Sequence, residues 1–199
     1  MSSIHSPVTR FRSELASNMR CRIAVSGLGQ PLRTLALSGV PYGRGAHPYL
    51  TLGTATIDRL FLTLPARTVL QSDQRGLPTN LKAVEGTGYD FRQSRRIGST
   101  VLDHAFTDLQ RNENGNACVT LRDPDSGIQV SLWVDHSYPY LMLFSGDPFP
   151  DVSRRSLAIE PMTCPPNAFR TGVSLIELES GSSCTGTWGI AGERDVSFD

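Results

Sequence analysis

The chain lacks an excess of either charge. Its 19 basic and 19 acidic residues cancel, whereas proteins that grip a phosphate backbone concentrate a basic surplus on one face, so nucleic acid is excluded as a general partner. Also missing is any apolar run near the roughly 20 residues that a bilayer crossing needs, which excludes a membrane-spanning helix. The four cysteines, Cys21, Cys118, Cys164 and Cys184, contain no C-x-x-C pair. Spacing therefore gives zinc no support, and no metal site is expected. No apolar signal-peptide segment follows Met1, so the thiols are expected to be free and the compartment to be reducing cytoplasm. Helical periodicity is scarce, and no internal repeat is present.

What the chain has instead is short alternating runs closed by turn residues. Residues 1–39 form an atypical start, with a weakly structured lead-in, helical at most over Thr9–Ala16, and then a hairpin over 21–37 broken at Gly27-Leu-Gly-Gln-Pro31. Residues 40–199 read as one domain. Strands are expected over Asp58–Pro65, Thr68–Leu70, Ala117–Arg122, Ile128–Trp133, Tyr140–Phe144, Leu157–Glu160, Ser174–Leu178 and Thr185–Ala191. Asp123-Pro-Asp-Ser-Gly127 is a strong turn signal that makes the third and fourth a hairpin. Strands recurring at such spacing predict a mainly β fold, an antiparallel two-layered sandwich.

Three places carry candidate chemistry. Glu160 closes the apolar run Ser156–Ile159, and Pro161 is expected to stop pairing there, with a stiff loop over 161–168. His47 precedes Pro48, which pushes it into extended geometry, among glycines that let the backbone pass close to another chain or a ligand. Asp103 lies between residues that must be buried, Leu102 and Phe106, so the acid is expected to be anchored. His104 beside it should point to the opposite face. On residues alone, Glu160 could merely end a strand in water, and His47 could be a core or turn histidine.

Three ordered motifs go further. Ile159-Glu-Pro-Met-Thr-Cys-Pro-Pro-Asn-Ala-Phe-Arg-Thr-Gly172, Pro41-Tyr-Gly-Arg-Gly-Ala-His-Pro-Tyr-Leu50 and Val101-Leu-Asp-His-Ala-Phe-Thr-Asp-Leu109 resemble signatures of the aldose 1-epimerases (mutarotases), in the bacterial form. The resemblance runs from about Val40 to Ala191. It implies a galactose mutarotase-like β-sandwich, N-terminally truncated, because family members carry a longer first portion with a further histidine and only His5 precedes His47 here. A shortened sandwich would leave an exposed sheet edge, through which self-association is expected.

The resemblance also implies the chemistry: interconversion of the α and β anomers of a free hexose such as glucose or galactose, without metal or organic cofactor. Glu160 would take the C1 hydroxyl proton and His47 would protonate the ring oxygen, the two facing each other across a cleft about as wide as the sugar. Asp103 would hold sugar hydroxyls, and an aromatic (Tyr49, Phe106 or Trp133) would lie under the ring. Two alternatives stand beside this: a non-catalytic carbohydrate-binding remnant, and an epimerase of a phosphorylated hexose using Arg44, Arg95, Arg96, Arg154 or Arg155.

Overall fold

Strands form where apolar residues alternate and end where Gly, Pro, Asn and Asp cluster. A computed structural model describes residues 23–28, 32–33 and 39–194. In chain order the elements are β1 (Ile23–Leu28), β2 (Leu32–Arg33), β3 (Val40–Tyr42), β4 (Tyr49–Leu50), β5 (Phe61–Thr63), β6 (Ala66–Ser72), β7 (Pro78–Ala83) and β8 (Arg95–Arg96). Then come β9 (Asp103–Leu109), β10 (Ala117–Arg122), β11 (Ile128–Val134), β12 (Tyr140–Phe144), β13 (Leu157–Met162), the one-turn helix α1 (Ala168–Thr171), β14 (Ile176–Leu178), β15 (Ser183–Cys184) and β16 (Thr187–Arg194). Among the described residues no helix is long and apolar enough to cross a membrane.

The fold is nearly all β and antiparallel. One six-stranded sheet has the order β1-β16-β11-β10-β5-β8, and the other β4-β13-β12-β9-β6-β7. Inward residues of both, among them Leu62, Val119 and Leu132 from the first and Phe106, Leu143 and Ile159 from the second, share one buried cluster. Each such side chain contributes on the order of 1.5–3 kcal/mol when taken out of water. Trp188 and Ile190 pack against that cluster from β16. The hairpin β10–β11 pairs in register from Ala117↔Val134 to Arg122↔Gln129, as its turn signal leads one to expect.

Four expectations need correction. The strands of the N-terminal hairpin do not pair with each other in the described residues: β1 pairs with β16 and β2 with β15. Residues 1–22, with the lead-in, lie outside the described residues. The expected strand over 58–65 shrinks to β5, because a turn in which Leu60 N–H donates to the Ile57 carbonyl precedes it. Ser174–Leu178 contributes only β14, which pairs with β3 in a separate two-stranded sheet. Finally, Pro161 does not end its strand, since β13 runs on to Met162 with Leu141↔Pro161 and Tyr140↔Met162 in register. The Pro161 carbonyl accepts from Ala46 N–H, on the side away from β12. Its missing N–H faces that same side, so the β12–β13 ladder loses no bond.

The second sheet ends at β7, whose residues are almost all exposed. Pro78 and Lys82 on it are of the kinds that discourage further strand pairing.

Candidate active site

Register alone brings the histidine to the glutamate. Beside β13 the segment 44–50 runs antiparallel, with Thr163 N–H donating to the Arg44 carbonyl at 2.9 Å, Ala46 N–H to Pro161 at 3.1 Å and Ile159 N–H to Pro48 at 3.2 Å. The alignment continues into β4 as Ala158↔Tyr49 and Leu157↔Leu50. Counting along it sets His47 directly opposite Glu160. The seam is fastened at one end by Thr163, whose hydroxyl also accepts from Arg44 N–H at 2.9 Å. It also requires glycine at 43, where a Cβ would meet the Cys164 sulfur at 2.5 Å.

Alternation then decides which side chains share the face. Leu157 and Ile159 point into the core, so Ala158, Glu160 and Met162 point to the opposite side of the sheet. One row across that outer face is His47, Glu160, Met142 and Ala105, and the next is Tyr49, Ala158, Phe144 and Asp103. Strand spacing places Asp103 two strands from Ala158, roughly 10 Å across the sheet.

His47 Nε2 lies 3.0 Å from Glu160 Oε1, with the imidazole side chain 53% exposed and the carboxylate 14%. The expected arrangement, a sugar ring's width between them, is therefore corrected: directly opposed residues of neighbouring strands reach each other. Burial, and after it the negative charge of Asp103, pushes the Glu160 carboxyl up from 4.5 to about 7. Part of that burial comes from its neighbours on the face, where Met142 and Ala105 of its own row join Met162, Leu70 and Tyr140 in an apolar cluster. The carboxyl is thus a base whose proton affinity suits neutral pH.

The other candidates divide. Asp103 is exposed on this face, where β9 begins. It follows Leu102, whose N–H and carbonyl both bond the buried Ser145. Tyr49 lies on the face, 53% exposed, with its ring centroid 4.8 Å from that of His47. Burial and then the charge on Glu160 raise its hydroxyl pKa.

Phe106 is the clear correction. It points inward, fully buried in the core, because it sits an odd number of residues from Asp103 on the same strand. Phe106→Leu is expected to cost roughly 1–2 kcal/mol in urea denaturation, and an unchanged stability would return the ring to the outer face. Trp133 belongs to the other sheet, where it is paired with Gly189. His104 turns inward as expected, against Tyr89 at 4.4 Å between ring centroids, and burial lowers its pKa. Asp108 lies at the far end of β9, bonded by the Thr68 hydroxyl.

Met142 and Phe144 escaped the sequence reading. The signal was there: in Tyr140–Phe144 both alternating sets are apolar, although only Leu141 and Leu143 are needed by the core.

The loop after β13 is ordered by turn chemistry. Asn167 takes a left-handed conformation (φ 67°), α1 follows, and Gly172 (φ 74°) ends it. The Tyr140 hydroxyl meets Ser174 Oγ at 2.9 Å, tying the loop to β12.

Comparison with known proteins bears on the family and the fold. The family model for aldose 1-epimerase matches residues 4–190, well ahead of Val40, where the motifs become legible. The uncharacterized protein YihR of Escherichia coli K12 is 34% identical over 177 residues, 89% of this chain and 54% of the relative. The chain thus spans about half the length of that curated relative. Among solved structures, the GalM/aldose epimerase homologue of C. elegans superposes with a TM-score of 0.69 at 18% identity, over 87% of this chain and 56% of that one. The galactose 1-epimerase of Lactobacillus acidophilus gives 0.64 at 21%, over 88% and 64%. At such identities the likeness is one of fold.

Proposed function

The chain belongs to the aldose 1-epimerase family, and from that premise we propose that it interconverts the α and β anomers of a free hexose, with Glu160 as base and His47 as acid. The observation that carries this reading is the 3.0 Å contact between the two side chains at a carboxyl raised to about 7. The oxygens that exchange protons, the C1 hydroxyl and the ring oxygen, are both bonded to C1. An acid and a base that touch can therefore each reach one of them when the sugar lies over the pair.

In the forward step Glu160 takes the hydroxyl proton, the C1–ring oxygen bond breaks as C1 becomes an aldehyde, and protonated His47 gives its proton to the departing oxygen. The aldehyde turns about the C1–C2 bond. Closure on its other face returns one proton to His47 and delivers the other from Glu160, so the protein ends as it began. Asp103 accepts hydrogen bonds from sugar hydroxyls, which are strengthened by its charge. Free thiols at Cys118, Cys164 and Cys184 favour a reducing compartment.

Four of the five arginines that could take a substrate phosphate are engaged within the chain. The Arg44 guanidinium lies over Tyr138, Arg95 donates to the Asp90 carbonyl, Arg96 to the Asp58 carbonyl, and Arg154 binds Asp58 and Asp147.

Polarimetry on freshly dissolved α-glucose and α-galactose tests the proposal. Acceleration over a buffer blank is the expected result; hexose binding without acceleration would select a carbohydrate-binding role instead. Asp103→Asn should raise KM about tenfold, the usual worth of one charged hydrogen bond. It should also shift the acid limb of the rate profile to lower pH, because Glu160 loses a negative neighbour. An unmoved limb would mean that Asp103 does not act on Glu160.

A further inference from the structure

Of the aromatics expected under the sugar ring, Phe106 is taken by the core, Trp133 lies on the other sheet and Tyr49 stands beside His47; the sheet offers a further one. We infer that Phe149, backed by Phe144, is the platform on which the apolar C–H face of the hexose rests, an inference that builds on the mutarotase reading above. Phe144 is paired with Asp103 on one side and Ala158 on the other, which sets it diagonally across from Glu160, within reach of a large side chain. Its ring meets that of Phe149 edge to face at 6.0 Å between centroids. Phe149 is 57% exposed, so the pair runs from the outer face of the second sheet into solvent.

A single exposed aromatic is ordinary on a protein surface. This one is held in place. Phe149 N–H donates to the Gly146 carbonyl at 3.0 Å, and its own carbonyl accepts from Val152 at 3.1 Å and Ser153 at 2.7 Å. Arg154 braces the same turn through Asp147 at 2.9 Å, while its backbone N–H donates to the Ser145 carbonyl at 2.9 Å. The ring is therefore presented by a pinned turn beside an exposed carboxylate.

A pyranose matches that pairing. Its hydroxyls project around the rim, where Asp103 accepts them, and its C–H bonds crowd one face, which packs on an aromatic ring. Phe149 is thus a positioning residue: it takes no proton, and it acts on binding more than on turnover.

The test uses the full chain and α-galactose or α-glucose. Phe149→Ala should raise KM three- to tenfold with kcat changed less than twofold and the pH profile unmoved, and Phe149→Trp should restore KM. Saturation-transfer NMR, irradiating aromatic protons and reading hexose C–H signals, should lose more than half its effect in Phe149→Ala. An active wild type whose KM and transfer are indifferent to Phe149→Ala overturns the platform and leaves the mutarotase reading standing. An inactive wild type overturns that reading, and the platform is then decided by transfer alone: loss in Phe149→Ala supports it, while absence of transfer in the wild type overturns it too.

Discussion

Glu160→Gln is expected to reduce anomer interconversion by a factor of about 10² to 10⁴, the range that proton transfer by a positioned group supplies. Glutamine preserves the shape and most of the hydrogen bonding of the side chain but cannot take the hydroxyl proton. With the carboxylate side chain only 14% exposed, bulk water has little access to stand in for it. His47 is different. Its side chain is 53% exposed, so water can reach the position from which it donates, and His47→Ala should lose less than Glu160→Gln. Initial rates by polarimetry, with circular dichroism to show an unchanged fold, decide both comparisons. A glutamine variant that keeps wild-type rates would remove Glu160 from the chemistry.

Much of this arrangement is legible in the sequence, and the legible parts share a cause. The β10–β11 hairpin and β12 are local patterns, set by alternation and by a turn sequence of five residues. The family motifs marked Glu160, His47 and Asp103, and register places all three on one face of the second sheet. What local pattern could not show was partnership between distant strands. Nothing in Ile23–Leu28 announces that it will lie against Thr187–Arg194 rather than against its neighbour. Phe106 is a different case: its burial is legible beside Leu102, and the odd spacing from Asp103 puts it in the core rather than under a sugar. Pro161 failed because the penalty for proline in a strand depends on which side its missing donor faces, and only the position of residues 44–48 reveals that.

The same parity explains why the site is uncomfortable for the fold. An ionisable carboxyl is seated among Met142, Met162 and Ala105, on the half of β13 that does not serve the core. A group positioned for folding alone would be apolar there.

That discomfort should be measurable as a pH dependence of both rate and stability. Below about 7 the Glu160 carboxyl holds its proton and cannot act as base, so kcat/KM should fall as pH drops through that range, approaching tenfold per pH unit on the acid side. Stability runs the other way. A carboxyl raised from 4.5 in the unfolded chain to about 7 in the fold favours the folded state fully below pH 4.5, and this contribution is lost as pH rises through 7. The loss approaches about 3 kcal/mol, at 1.36 kcal/mol per unit of pKa, less whatever the His47 contact restores to the charged form. Glu160→Gln cannot ionise, so urea denaturation should find it close to wild type at pH 5 and more stable by up to that amount at pH 8. Equal stabilities at both pH values would mean that the imidazole fully compensates the buried charge, and the acid limb of the rate should then lie well below 7.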